Sequence, residues 1–328
     1  MHRDLPGRLA CASVTDAPSL PVARPASPYP SGVQHELRHG TQHAVVAEVG
    51  ASLRVYTVDG TDVVLPFDAE ALAPAFSGAV LAPWPNRLAD GEYTWEGTAY
   101  EVPITEHDRR TALHGLVAHA RFTPVPQERT EASVTLAHDL VPTPGYPWAL
   151  RTEVTYALDD DGLRVRVATT NLAADTAPYG VGVHPWLSPG PGGVDACTLR
   201  VDATRHVTVD ERLLPTGTEE PVGQFALHEP LALRGVALDD AWVGVEHDES
   251  GLSRAVLTRS DGRTTELWAD RTARAWQVCT GDGIPGIERR GVAVEPMSCI
   301  ADALRTGDDL VHLAPGETHA LIWGLTLR

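Results

Sequence analysis

The sequence predicts an all-β protein built as a large antiparallel sandwich, and three observations carry that expectation. Apolar residues recur with a period of two: Leu163, Val165 and Val167 alternate with Arg164 and Arg166. Successive side chains of a strand point to opposite faces, so such a run presents one face to a core and the other to water. Turn dipeptides punctuate the chain at Asp59-Gly60, Asp90-Gly91, Glu96-Gly97, Asp161-Gly162 and Asp261-Gly262. Stretches with convincing helical spacing are hard to find.

In chain order, the first thirty residues are rich in Pro, Ala and Ser and lack the continuous apolar segment of a secretory leader. Residues 1–29 therefore read as a flexible extension. From about Tyr29 onward the strand period sets in. Short runs at Val134–Leu136 and Val154–Tyr156 precede the Leu163–Val167 strand, and Leu199–Val201 and Ala255–Leu257 follow it. Leu321, Trp323, Leu325 and Leu327 repeat the alternation at the C-terminus. No linker-like shift in composition and no short repeat interrupts residues 30–328, which read as one domain.

Composition narrows function. The chain has 328 residues, 43% of them hydrophobic and 21% charged, a globular balance with enough length for a sizeable core. All 26 basic residues are Arg and Lys is absent. Without an amine side chain, Schiff-base chemistry and the P-loop phosphate ligand are both excluded. A formal charge of −18 opposes the basic footprint of a nucleic-acid binder and suits a neutral small-molecule partner. No apolar run approaches the ~20 residues that span a bilayer. Cys11, Cys197, Cys279 and Cys299 are far apart and form no CxxC pair, which points to reduced thiols and a cytoplasmic setting.

Four segments look unlike strand filler. In Ala82-Pro83-Trp84-Pro85-Asn86-Arg87-Leu88 two prolines fix the backbone and present Asn86 and Arg87 side by side. Read singly, this is equally a rigid loop whose Arg meets a surface carboxylate. Leu113-His114-Gly115-Leu116 sets a His beside a Gly, where a ligand can approach the backbone. A lone His is more often a hydrogen-bonded structural residue. His114 and His119 are poor metal-ligand candidates, because odd spacing on a strand sends their rings to opposite faces and no HExxH pattern exists. In Pro178-Tyr179-Gly180-Val181-Gly182-Val183-His184-Pro185-Trp186 small residues lead to a His held by a following Pro and flanked by aromatics, a combination that suits a sugar. Read singly, it is equally a packed loop His. In Arg290-Gly291-Val292-Ala293-Val294-Glu295-Pro296-Met297 a carboxylate ends an otherwise apolar strand. Burial there would raise its pKa toward the range of a general base, whereas a loop-facing Glu would be solvated.

The ordered set is more specific than any member. Pro85-Asn86-Arg87 followed by Gly91 and Tyr100, then Leu113-His114-Gly115, then Gly182-Val183-His184-Pro185-Trp186 begin the series. Leu238-Asp239, Gln277 with Thr280-Gly281-Asp282, and Gly291 to Pro296 around Glu295 complete it. In this order the chain, from about residue 30 onward, resembles the aldose 1-epimerase (galactose mutarotase) family. The resemblance implies a large antiparallel β-supersandwich and cofactor-free interconversion of the α and β anomers of a free hexose, galactose or glucose in kind. It implies Glu295 as base and His184 as acid, with the His protonated while the Glu is ionised. Arg87 and His114 are then donors near C1 and the ring oxygen, and Asn86, Asp239 and Gln277 bind hydroxyls. Asp239 is preferred to the adjacent Asp240 by its place after Leu238 and three residues before Trp242.

Three rival readings remain at this stage. Arg109, Arg110 and Arg121 flank the His114 segment, so a hexose-6-phosphate 1-epimerase is one, although solvated surface Arg is the commoner case. A non-catalytic sugar-binding protein on the same fold is another. A metal-dependent β-barrel oxygenase, prompted by 14 His, would need several His converging with a carboxylate.

Overall fold

The computed structural model describes Ser27 and residues 29–328. The expected N-terminal extension and Cys11 lie outside the described residues, apart from Ser27 and Tyr29. Ser27 is buried, its hydroxyl donating to the Gly32 carbonyl at 3.0 Å.

Two antiparallel sheets carry the molecule. The larger has nine strands, with the C-terminal Thr318–Leu327 inserted between Gly162–Asn171 and Thr264–Ala269. Each short apolar run expected from the sequence lies within a strand of this sheet: Ser133–Leu140, Leu150–Asp159, Thr198–Val201 and Ser253–Thr258. The second sheet has eight strands, and its central part runs Asp239–Val245, Ala275–Cys279, Val292–Met297, Gly182–Val183. A four-stranded meander over residues 34–62 precedes them. Among the described residues the one α-helix is Ala303–Thr306.

The two sheets share a core. Trp276 of the second donates its indole N–H to Ser253 Oγ of the first at 3.1 Å. Leu163, Val165, Trp242, Trp276, Val294, Trp323 and Leu325 belong to one buried cluster. Burying each such side chain is worth roughly 1.5–3 kcal/mol, so alternation along the strands is what closes the sandwich.

The middle strands of the second sheet read as continuous apolar runs because both faces are covered. Along Val292–Met297 every residue is buried. Val292 and Val294 enter the main core, whereas Ala293 packs with Trp186, Cys279 and Ile287 on the opposite face. Glu295 shares that second face.

The turn signals divide by outcome. Asp59-Gly60 and Glu96-Gly97 adopt positive φ at both residues and close two-residue hairpins, at Val58↔Thr61 and Trp95↔Thr98. Asp90-Gly91 has the same dihedral signature but turns a corner, because the strands beside it, Arg87–Ala89 and Glu92–Trp95, pair with other partners. Gly115 has a structural requirement of its own. Its φ is +72°, and an added Cβ would lie 2.2 Å from the Ala82 carbonyl oxygen that accepts the Leu116 N–H at 2.7 Å. We expect Gly115→Ala to cost more than about 1 kcal/mol in denaturant unfolding; an unchanged midpoint would contradict this account of the Ala82–Leu116 contact.

Candidate active site

Strand register brings the acid and base candidates together. Gly182 pairs with Met297 and Trp186 pairs with Ala293, both on Val292–Met297. The same antiparallel register carries His184 opposite Glu295. Pro185 has no N–H to give the ladder, and the His184 backbone bonds outward instead, its N–H to Ala79 O at 3.1 Å and its carbonyl from Gly78 N at 2.8 Å. His184 Nε2 stands 3.3 Å from Glu295 Oε1. Both side chains are almost fully buried, and His184 Nδ1 and Glu295 Oε2 have no protein partner among the described residues.

Register also selects the neighbours. Gln277 lies directly across from Glu295, and Asp239 across from Cys279, two residues further along the same strand. Residues two apart share a face, so Asp239, Gln277, Cys279 and Glu295 point to one side. Asp240 points to the other, where its Oδ1 meets His206 Nε2 at 3.0 Å.

A closed ring of hydrogen bonds joins the polar residues. Asn86 Nδ2 donates to Gln277 Oε1 at 3.2 Å, and Gln277 Nε2 donates to Asp239 Oδ1 at 2.7 Å. Arg87 Nη2 donates to Asp239 Oδ2 at 3.4 Å, and Arg87 Nη1 returns to Asn86 Oδ1 at 3.4 Å. Only one orientation of the Gln277 amide accepts from Asn86 and donates to a carboxylate, so the ring fixes it.

His114 is locked in a similar way. It and Asn86 both have left-handed φ, 62° and 57°, a conformation that non-glycine residues keep only when surroundings hold it. They hold each other: His114 N–H donates to Asn86 O at 2.8 Å, and Asn86 N–H donates to His114 Nδ1 at 3.1 Å. An acceptor Nδ1 places the imidazole proton on Nε2, so His114 is a neutral N–H donor.

Rings close the site. Trp186 stacks on His184 with centroids 5.7 Å apart and planes 20° apart. Phe76 meets His114 edge-on at 4.6 Å. All seven residues singled out above, Asn86, Arg87, His114, His184, Asp239, Gln277 and Glu295, line a single cavity of about 340 Å³. That is the size class of small-molecule sites.

Burial sets the proton states. It pushes Glu295, with help from the Asp239 charge, well above the usual carboxylate range, and Arg87 offsets this only in part. It holds His184 down to about 3. His114 lies well below its ordinary value through burial and then the neighbouring His184, Arg87 and His119 charges. The His184–Glu295 pair is therefore favoured uncharged, which differs from the imidazolium beside a carboxylate expected from the sequence. The reason is that a dry pocket penalises both charges, and 3.3 Å of separation lets one proton serve the pair.

Sequence reasoning did not single out Phe76, Cys279 or Glu106, which also line the cavity. Phe76 sits in an Ala- and Pro-rich stretch with no period, and Glu106 in a polar loop nineteen residues after Arg87, where nothing in the spacing marks it. Of the three arginines near His114, Arg110 is exposed beside Asp90, and Arg121 pairs with Glu48. Arg109, expected on the solvated surface, instead lines the cavity half-exposed, with Nη1 on Glu106 Oε1 at 2.9 Å. Among the described residues no group of three or more potential metal ligands converges. None of their helices is long and apolar enough to cross a membrane.

The model of the family described as aldose 1-epimerase matches residues 33–325. The uncharacterized protein YihR of Escherichia coli is 35% identical over 306 residues, spanning 90% of this chain and 93% of that protein. Mouse galactose mutarotase is 27% identical over 236 residues, 67% of each chain. Among solved structures, a galactose mutarotase-like protein from Clostridium acetobutylicum has a TM-score of 0.79 at 16% identity, covering 89% of this chain and 94% of its own. Galactose 1-epimerase from Lactobacillus acidophilus has a TM-score of 0.75 at 16% identity, covering 90% and 94%. At such identities the structural likeness speaks for the β-sandwich fold.

The buried carboxyl has a consequence for stability. Above the ordinary value of 4.5 the unfolded chain releases the Glu295 proton while the native state retains it, so stability falls as pH rises toward the folded pKa. For His184 the sign is opposite: below 6.5 the unfolded chain takes up a proton that the native state refuses until about 3, so stability falls as pH drops. Glu295→Gln should therefore melt a few degrees above the wild type at neutral pH, the gap narrowing toward pH 4.5. Calorimetric scans across pH check this; a variant less stable at neutral pH would contradict it.

Proposed function

This chain belongs to the aldose 1-epimerase family, and from that premise we propose that it interconverts the α and β anomers of a free hexose, galactose or glucose in kind, by opening and reclosing the pyranose ring. The observation that carries the reading is the contact of a buried carboxyl with a buried imidazole, 3.3 Å apart, on the wall of a sugar-sized cavity. The hydroxyl oxygen on C1 and the ring oxygen are bonded to the same carbon. An acid and a base that serve both must therefore stand this close.

In the proposed cycle Glu295 takes the proton of the C1 hydroxyl while His184 gives a proton to the ring oxygen. The bond between C1 and the ring oxygen breaks, its electron pair stays on that oxygen, and the C1 carbonyl forms. The aldehyde turns about C1–C2, and the reverse transfers close the ring on its other face. The pair carries one proton throughout: at rest it sits on Glu295, it crosses to His184 over the 3.3 Å contact before the ring opens, and the C1 hydroxyl proton takes its place on Glu295 as the chain opens. Burial favours the uncharged arrangement, so forming the charged pair costs energy and the return of a proton to Glu295 accompanies ring opening. Each positioned proton transfer is typically worth ~10²–10⁴-fold.

His114 Nε2–H and Arg87 act as donors to the oxygens around C1, and both are held rigidly, which lets them polarise without reorganising. Asn86, Asp239 and Gln277 receive hydroxyls, and the Trp186 and Phe76 rings offer apolar faces to C–H groups. Only protons move and no carbon changes oxidation state overall, so the cycle needs no cofactor. A neutral sugar suits the cavity, since Arg87 and Arg109 are already matched by Glu106 and Asp239. Cys197, Cys279 and Cys299 are free and buried, which accords with a reducing, cytoplasmic setting.

Polarimetry on freshly dissolved α-glucose, α-galactose and glucose 6-phosphate tests the reading. We expect acceleration with a free hexose, little with the phosphate, and no change on chelation. Glu295→Gln and His184→Asn should each lower kcat by at least about 10²-fold while remaining folded. Arg87→Met should impair kcat/KM. Wild-type protein that binds hexose without accelerating rotation would favour a non-catalytic sugar-binding role instead.

A further inference from the structure

Arg87 lines the cavity, yet most of its hydrogen-bonding capacity is spent within the protein. Of five guanidinium N–H groups, Nε donates to Glu106 Oε2 at 2.9 Å, and Nη2 donates to Glu106 Oε1 at 3.2 Å and to Asp239 Oδ2 at 3.4 Å. Nη1 donates once, to Asn86 Oδ1 at 3.4 Å, leaving one N–H among the described contacts. Glu106 is more fully committed still. Its Oε2 also accepts from Thr111 Oγ1 at 2.6 Å and its Oε1 from Arg109 Nη1 at 2.9 Å. All four lone-pair directions of the carboxylate are then taken, so none remains for a sugar hydroxyl.

The backbone holds Glu106 in this place. Glu106 and Thr111 exchange N–H···O bonds of 3.0 and 3.1 Å, and Thr111 begins the strand that pairs with Arg87–Ala89. The carboxylate thus reaches Arg87 from a neighbouring, paired segment.

We propose that Glu106 is a positioning residue of the site: it grips Arg87 through two parallel hydrogen bonds, fixes the plane of the guanidinium, and leaves one N–H of Nη1 as the donor offered to the sugar. Thr111 and Arg109 hold the Glu106 carboxylate in turn. This rests on the anomerisation reading for its kinetic consequence, though not for its structural one.

A double-mutant cycle in polarimetry is the test, on the free hexose that the wild type turns over best. Glu106→Gln should lower kcat/KM by about 10- to 100-fold, the range expected when a charge-assisted pair is broken. In an Arg87→Met background the same change should cost less than about twofold, because the residue through which Glu106 acts is gone. Independent, additive losses would overturn the proposal, as would an unaffected single variant. Should Glu106→Gln fail to fold, Glu106→Asp and Thr111→Val should show smaller losses with the same non-additivity. A crystal structure of Glu106→Gln supplies a readout free of activity: Arg87 should leave its plane, and an unmoved guanidinium would refute the role. An inactive wild type would sink the anomerisation reading alone, since the Arg87 position would still decide this one.

Discussion

The molecule depends on one strand register. Val292–Met297 receives two short segments, Gly182–Val183 and Trp186–Leu187, with His184 suspended between them opposite Glu295. Both faces of Val292–Met297 are covered, so a carboxyl placed there loses water and its charge becomes costly. A shift by one residue would send Glu295 into the core occupied by Val294. The sandwich core of Trp242, Trp276, Val294 and Trp323 is therefore more than a source of stability, because it prevents that slip.

Around the buried pair the polar residues form a second layer with a different logic. Asn86, Gln277, Asp239 and Arg87 are linked to one another in a ring that leaves some donors and acceptors for a ligand, and Glu106 binds Arg87 from behind. Buried polar groups that are mutually satisfied stay rigid, and rigid donors need not reorganise when charge develops on a bound sugar. The strained backbones of Asn86 and His114 fit the same picture, each held by the other's hydrogen bonds. Both cavity guanidinia, Arg87 and Arg109, face carboxylates, which accords with the neutral sugar proposed for the pocket.

Much of this was legible in the sequence. The alternation at Leu163–Val167 and Leu321–Leu327 marks strands whose inward residues are the observed core, because period-two patterning is a direct image of the pleat. Glu295 was visible as a charge in an apolar strand, and His184 as a His fixed beside Pro185. Tertiary features were hidden. Phe76 and Glu106 enter the cavity from loops whose paths depend on long-range pairing, so no local pattern records them. The polar run around Arg109 reads as a solvated surface, and only the fold turns Arg109 toward the pocket. The proton distribution within the acid–base pair was also invisible, since it follows from burial on both faces of the strand and not from residue types.

The central claim is that the Glu295 carboxyl and the His184 imidazole act on one anomeric centre. A crystal structure of Glu295→Gln with a hexose bound tests it most directly. The account predicts the C1 hydroxyl within hydrogen-bonding distance of the residue 295 side chain and the ring oxygen within reach of His184. A sugar seated in the cavity with C1 turned away from both would contradict it.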